Sequence, residues 1–126
     1  MLNSNTLDIG FKGEELACQF LALNGFTVLQ RNWRVGHLEI DIIATKENIL
    51  HIIEVKTRNR TSVHDFAAQK AMGHRKLHKI IDAANLYIDL TQSDQFLSID
   101  LLAIDIEAGV PAYNLYEGVQ WDEIQL

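Results

Sequence analysis

The spacing of apolar and polar positions along this 126-residue chain predicts two amphipathic helices and five strands. The first helix is predicted over residues 9–24, with Asp8 as its N-cap and Gly25 at the C′ position. A second helix is predicted over residues 74–90. Strands are predicted at residues 26–30, 38–43, 49–56 and 96–106, and a short one at 113–115. The order αβββαβ, with a short additional strand, predicts a single α/β domain over residues 1–126.

The second and third predicted strands carry charged residues inside otherwise apolar runs. Because side chains alternate between the faces of a strand, Glu39 and Asp41 share a face of the second strand. By the same rule, Glu54 and Lys56 share a face of the third. The polar residues 46–48 between the strands are typical of a turn. If the two strands form an antiparallel hairpin, Asp41 lies opposite Glu54. Glu39 then lies opposite Lys56.

Opposed carboxylates in such a hairpin require a compensating cation. Directly opposed residues have Cβ atoms about 4.5–5.5 Å apart. Two carboxylates at that separation repel each other unless a positive group lies between them. A divalent cation held by oxygen ligands is the natural candidate. The alternative is structural, because any exposed edge strand can alternate glutamate and lysine, and the pattern by itself leaves both interpretations open.

Composition indicates where such a protein would work. Its hydrophobic fraction of 48% is sufficient for a sizeable core. Cys18 is the single cysteine, so no intrachain disulfide can form, and we expect a reducing, cytoplasmic compartment. The N-terminal residues lack the basic and apolar regions of a signal peptide. No apolar run reaches the length of a membrane span, so no membrane partner is expected.

The charge of the chain is strongly asymmetric. The formal net charge is −6, yet residues 1–79 contain all eleven Lys and Arg with eight acids, a net charge of +3. Residues 80–126 contain nine acids and neither Lys nor Arg. A basic half of this kind indicates a nucleic-acid partner. Two alternatives stay open: a solvated basic surface without a partner, and a protein-interaction domain that docks through its acidic C-terminal half.

Several short motifs, in order, resemble the YraN-type uncharacterised bacterial family. That family looks like a branch of the PD-(D/E)XK nuclease superfamily, similar to archaeal Holliday-junction resolvases. The matching residues are Gly10, Gly13-Glu14, Ala17, Gly25-Phe26, Arg31-Asn32, Arg34, Glu39-Ile40-Asp41, Glu54-Val55-Lys56-Thr57-Arg58, Lys76, Lys79, Ala84, Leu86-Tyr87-Ile88 and Asp100. They span a core of about residues 7–106 and leave residues 107–126 as a C-terminal extension. One departure is Leu38, where the family usually has glycine.

The resemblance implies a restriction-endonuclease-like αβββαβ core with a mixed central sheet flanked by helices. It implies Asp41, Glu54 and Lys56 as the catalytic triad and Glu14 as an additional acid on the first helix. Asp41 and Glu54, with Glu14 through a water, would hold Mg²⁺ (or Mn²⁺). Glu39, opposite Lys56 in the predicted hairpin, would orient that lysine.

The expected function is therefore a metal-dependent endonuclease that hydrolyses DNA phosphodiester bonds, on branched or damaged DNA. Basic residues expected to contact phosphates are Arg31, Arg34, Arg58, Arg60, Arg75, Lys76 and Lys79. A homodimer is expected if the chain cuts junctions as the resolvases do. The runner-up is a nucleic-acid-binding module that keeps the nuclease fold with little or no catalysis. His74 and His78 have a zinc-ligand spacing, but they lack the glutamate of an HExxH motif, which favours a surface or phosphate-facing role.

Overall fold

The computed structural model describes residues 6–59 and 74–119, with side chains described from Lys12 and from Lys76 onward in the two ranges. The elements in chain order are α1 (Thr6–Leu23), β1 (Thr27–Val35), β2 (Leu38–Lys46), β3 (Ile49–Asn59), α2 (His74–Thr91), β4 (Phe96–Glu107) and β5 (Val110–Tyr116). The predicted order of helices and strands is confirmed. The fifth strand is longer than the predicted 113–115. Arg60, one of the expected phosphate contacts, lies outside the described residues.

The strands form one mixed sheet in the order β1-β2-β3-β4-β5. Neighbouring strands are antiparallel except β3 and β4, which are parallel. Parallel neighbours require a long crossover connection, and α2 lies in the segment that joins these two strands. The α/β fold, a mixed sheet with two helices, is consistent with a restriction-endonuclease-like core.

The two helices cover opposite faces of the sheet, because the central strands are apolar on both sides. On one face, α2 packs against Leu50 and Ile52 of β3 and against alternate residues of β4. On the other face, α1 packs against Ile53 and against Leu102 and Ile104 of β4. Along β3 and β4, the apolar side chains therefore alternate between the two helices by their parity along the strand.

The connection from α1 into β1 follows the predicted glycine cap. Gly25 has a φ of +87°, its N–H donates to the carbonyl of Ala22, and the N–H of Phe26 donates to the carbonyl of Leu21. These two bonds define a Schellman motif, which favours glycine because other residues are strained at positive φ. Phe26 and Leu21 are both buried in the same cluster, so the cap also fixes the start of β1 against the core.

The hairpin of β2 and β3 has the predicted register. Its ladder runs from the pair Lys46 and Ile49 at the turn to the pair Ile42 and Ile53. Glu47 and Asn48 both have positive φ, 53° and 62°, as a tight two-residue hairpin turn requires. This register directs Asp41 and Glu54 toward each other, at the next position along the two strands.

The first strand extends beyond its predicted end at residue 30. It continues to Val35 through a polar stretch, which is tolerated because β1 lies at the edge of the sheet. A register shift between Val28 and Gln30 marks a bulge. Trp33 closes this edge over the α2 face, where its ring meets Tyr87 edge to face with 5.4 Å between centroids.

Candidate functional site

Asp41 and Glu54 form a half-buried carboxylate pair where β2 and β3 separate. The Val55 N–H donates a hydrogen bond to Oδ2 of Asp41 at 2.8 Å. The Asp41 side chain therefore takes the place of a backbone acceptor just beyond the last paired residues of β2 and β3. Burial and the neighbouring Glu54 carboxylate raise the pKa of Asp41 to about 7, with a smaller contribution from Glu14. At pH 7 without a bound metal ion, this carboxyl is therefore protonated in about half of the molecules, because burial and a neighbouring negative charge disfavour the ionised form.

The positive group beside this pair is Lys76, near the start of α2. Its Nζ forms an ion pair with Oε2 of Glu54, whose side chain is 11% exposed. Burial lowers the pKa of the Lys76 ammonium, but the hydrogen bond and charge of Glu54, with Asp41 and Glu39 beyond, raise it overall. Lys76, which was expected to contact a phosphate, is paired with an acid of the site in this structure.

A cleft of about 370 Å³ opens beside Glu54 between the sheet and α2. We call it the carboxylate cleft; it is lined by His37, Glu39, Glu54, Lys76, Lys79 and Ile80. Acids line its β-strand side, and lysines enter from the helix. Such a cleft can receive an anionic group next to acidic ligands, which is the charge arrangement that a phosphate bridged by a cation requires.

The first helix brings Glu14 to the same region through a close helix–strand contact. A Cβ placed on Gly13 would lie 2.0 Å from Oγ1 of Thr57 on β3, so the contact requires glycine. Next to it, Glu14 accepts a hydrogen bond from Nδ2 of Asn32 at 2.9 Å and contributes to the raised pKa of Asp41. The structure thus brings Glu14, Asp41 and Glu54 into one electrostatic cluster.

Two of the predicted site residues have different surroundings from those expected. Lys56 follows Glu54 on the same strand face and is half-buried, but among the described residues the ion pair of Glu54 is with Lys76. Glu39 pairs with Arg34, at 2.9 Å between Oε2 and Nε, rather than with Lys56. The expected contact between Glu39 and Lys56 is therefore replaced by one with the edge strand, because an arginine on β1 lies opposite Glu39 in the observed register.

The predicted phosphate contacts divide into several groups. Lys76 and Lys79 line the carboxylate cleft. Arg31 pairs with Glu15 at 3.5 Å, and both partners are well exposed. Arg58 is half-buried on β3. The side chain of Arg75 and the whole of Arg60 lie outside the described residues.

A second polar cluster, which the pattern of the chain did not indicate, lies on the other face of the sheet. The buried His51 and Asp100 are joined by a 2.6 Å contact between Nδ1 and Oδ2. With Glu117, each offers one ligand atom, and these atoms all lie within 4.8 Å of one another. These three residues could hold a metal ion. In the sequence, the only indication of this cluster is that His51 and Asp100 each interrupt an apolar strand. The two residues are 49 positions apart, and the pairing of β3 with β4 brings them together.

Neither described helix combines the length and the mean hydropathy needed to cross a bilayer.

Comparison with known proteins gives a consistent set of relatives. A model of the uncharacterised protein family UPF0102 matches residues 13–104. A UPF0102 protein of Bacteroides fragilis is 39% identical over 97 residues, covering 76% of this chain and 78% of the relative. One of Bacteroides thetaiotaomicron is 39% identical over 103 residues, covering 81% and 83%. One of Campylobacter fetus is 35% identical over 96 residues, covering 76% and 82%. None of these names specifies an activity.

Proposed function

The chain belongs to UPF0102, the YraN-type uncharacterised family, and on that premise we propose that it is a metal-dependent endonuclease acting on DNA. Asp41 and Glu54 would hold the metal ion, Mg²⁺ or Mn²⁺. Glu14 would reach the ion through a water, and Lys56 would act on the reacting phosphate. Lys76 and Lys79 of the carboxylate cleft would hold the DNA backbone.

The observation that carries this proposal is the pair of opposed, half-buried carboxylates. Keeping two acids at this position is costly without a cation, as the pKa of Asp41 near 7 indicates. Their oxygens are the ligand type that Mg²⁺ and Mn²⁺ prefer. The donor set therefore fits the implied ion. When bound, such an ion lowers the pKa of a coordinated water and offsets charge on the phosphate.

The side chains around the pair have distinct roles in this proposal. The Val55 N–H fixes one oxygen of Asp41, so the other is left to bind. Lys56, two residues beyond Glu54 on the same strand face, provides a positive charge for the attacking water or the transition state. Glu14 is kept near Asp41 by the tight contact of Gly13 with Thr57.

Lys76 connects ion binding to DNA binding. In the structure its ammonium neutralises Glu54. A divalent ion at the acids would take over that neutralisation, and the lysine would be released to face a phosphate in the carboxylate cleft. The long flexible stem of lysine allows this change without movement of α2.

The proposal is tested by cleavage of labelled DNA with Mg²⁺, with Mn²⁺ and with EDTA. Wild-type protein should form product only with the ion. Asp41→Asn and Lys56→Ala should each lower the rate by about 100-fold or more, because each removes charge that acts in the transition state. Asp89→Asn, an exposed change on α2, is the matched control and should cleave as wild type does. Equal product in EDTA, or from Asp41→Asn, would contradict the proposal.

Binding is measured separately on the same variants, because chemistry and affinity depend on different residues. Lys56→Ala should keep most of the DNA affinity. Replacing Lys76 and Lys79 together by alanine should weaken binding to all sequences and lower the salt dependence by about 0.9 per lost phosphate contact on duplex DNA.

The second candidate function, nucleic-acid binding without cleavage, is favoured by the same ion pair. Lys76 already provides a cation to Glu54, so the acids have a structural partner without a metal. This candidate predicts DNA binding that is unaffected by Asp41→Asn and no product with either ion.

A preference for branched DNA and a dimeric state remain parts of the same proposal. Competition among a four-way junction, a flap, single strands and duplex, with sedimentation on the same sample, measures both. A dimer that prefers the junction would support a resolvase-like substrate. A monomer that binds all four alike would restrict the proposal to a general nuclease.

A further inference from the structure

The His51–Asp100–Glu117 cluster is separate from the carboxylate cleft. Along β3, Ile52 and Glu54 face α2, whereas His51 and Ile53 face α1. The ring of Phe26, in the α1 cluster, meets His51 edge to face at 4.8 Å. His51 is also three residues away from Glu54 along the strand, about 10 Å. The two groups of ligand atoms therefore lie on opposite faces of the sheet.

Asp100 is held in place by donors on both of its oxygens. Its Oδ1 accepts hydrogen bonds from Oγ of Ser98 at 2.6 Å and from the N–H of Gly118 at 3.0 Å. Its Oδ2 faces Nδ1 of His51 at 2.6 Å. Asp100 is 0% exposed and His51 is 2% exposed. A carboxylate fixed in this way has one oxygen directed at the imidazole, as the ligands of a preorganised metal site are fixed by their neighbours.

Glu117 completes the set from the end of β5. It follows directly on the last ladder pair, Leu101 with Tyr116, and its side chain is exposed. The turn that carries it is bound to the sheet by the Gly118 contact and by the Val119 N–H, which donates to the carbonyl of Ile99 at 2.8 Å. His51 and Asp100 are buried and Glu117 is exposed, so an ion would reach the site from the side of Glu117.

We propose that His51, Asp100 and Glu117 form a site for a divalent transition-metal ion, with Zn²⁺ as the best match. An imidazole with two carboxylates suits Zn²⁺ and disfavours Mg²⁺ or Ca²⁺, which prefer oxygen ligands alone. With both carboxylates ionised, the three groups carry a negative charge whether His51 is neutral or protonated, so a cation is attracted in either state.

Binding requires a small local adjustment. Ligands about 2.0–2.1 Å from a tetrahedral ion stand roughly 3.3 Å apart, so His51 and Asp100 must separate by about 0.7 Å from their present contact. The proton between them leaves as the ion enters. The ion would then join β3, β4 and the turn after β5 at one point. This role does not rest on the proposed nuclease function.

The test is Zn²⁺ binding by the full-length protein, measured by calorimetry and by the visible absorption of Co²⁺ as a substitute. Glu117→Gln is the informative variant, because Glu117 is exposed and its replacement should not disturb folding. We expect wild type to bind one Zn²⁺ at this site and Glu117→Gln to bind at least about tenfold more weakly. Glu107→Gln, at the other end of the β4–β5 hairpin, should bind as wild type does.

Two further variants distinguish this site from others on the same chain. His78→Gln tests adventitious binding by the exposed His78 on α2, and Asp41→Asn tests the acids next to the carboxylate cleft. Both should keep the Zn²⁺ affinity of wild type. The proposal is overturned if wild type binds no Zn²⁺, if Glu117→Gln binds as tightly as wild type, or if the bound Zn²⁺ is lost in Asp41→Asn or His78→Gln instead.

Discussion

The backbone pairing of β2 with β3 ends at Ile42 and Ile53. One position further on, the Asp41 carboxylate accepts a hydrogen bond from the backbone of β3. The strand carries an ionisable group into the interior, and Val55 meets it with a backbone N–H. Asp41 thus occupies a position where an apolar residue would be less costly for folding. Retaining an acid there is understandable if the acid has a partner, and the proposed partner is the metal ion.

The raised pKa of Asp41 makes the stability of the metal-free protein depend on pH. Its folded pKa is about 7 against an ordinary 3.8. Between these values the folded state binds a proton that the unfolded state has lost, so the free energy of unfolding falls as pH rises, by up to about 1.4 kcal/mol per pH unit, and levels off above about pH 7. Asp41→Asn removes this contribution.

Urea unfolding in EDTA at several pH values measures that contribution as the difference between wild type and Asp41→Asn. We expect the variant to gain stability relative to wild type from about pH 5 to about pH 7.5. Asp89→Asn, at an exposed position, should follow the wild-type profile. Parallel profiles for wild type and Asp41→Asn would mean that Asp41 titrates normally in the folded protein.

Lys76 shows what a sequence pattern cannot provide at the scale of one residue. Lys76 lies one helical turn before Ile80, at the border of the apolar stripe of α2, so its backbone position alone does not fix the direction of its side chain. Its side chain reaches Glu54, because a lysine stem spans several ångströms and follows the strongest nearby charge. The direction of a long charged side chain depends on tertiary neighbours that periodicity does not contain.

Among the strands, β4 follows the alternation of faces closely, whereas β2 departs from it. Along β4, Leu101 packs toward α2, and Leu102 and Ile104 pack toward α1, as simple alternation predicts. Along β2, Ile40 and Ile43 share the α2 cluster, which strict alternation does not allow. The strand is therefore irregular around Asp41. The proposed site coincides with the departure from the regular pattern, which is where local rules are expected to fail.

The packing of α1 on β3 depends on Gly13. Gly13→Ala would bring a methyl group onto Thr57, with 2.0 Å to Oγ1. We expect a net loss of about 1–3 kcal/mol in the free energy of unfolding, although alanine favours a helix more than glycine does. Urea titration measures the loss. Thr57→Ala removes the Oγ1 atom, so the double variant should recover part of it. A fully additive double variant would show that this contact does not limit the packing.

At the scale of the whole molecule, the local sequence pattern does not predict which strands distant in sequence pair with each other. The helices, the hairpin register and the faces of β3 and β4 follow from periodicity and turn residues. The parallel contact of β3 with β4 does not, since it joins residues about 47 positions apart and was implied only by the family resemblance. The His51–Asp100 contact depends on that pairing and therefore could not be predicted from the chain alone.

The basic and acidic halves of the sequence are not separated into two halves of the folded protein. The acidic second half includes α2 residues beyond Lys79, β4 and β5, yet its strands lie directly beside β3 in the same sheet. The lysines of the carboxylate cleft come from the start of α2. Among the described residues, the two lysines proposed to hold the DNA backbone thus lie in the first half of that helix.

The central claim, that Asp41 and Glu54 hold a divalent metal ion, is tested most directly by crystals soaked in Mn²⁺ and measured for anomalous scattering. The account predicts a peak between the Asp41 and Glu54 carboxylates, with the Lys76 ammonium moved away from Glu54, and no peak there in Asp41→Asn crystals. Crystals saturated with Mn²⁺ that show no peak at these carboxylates, and in which Lys76 remains paired with Glu54, would contradict it.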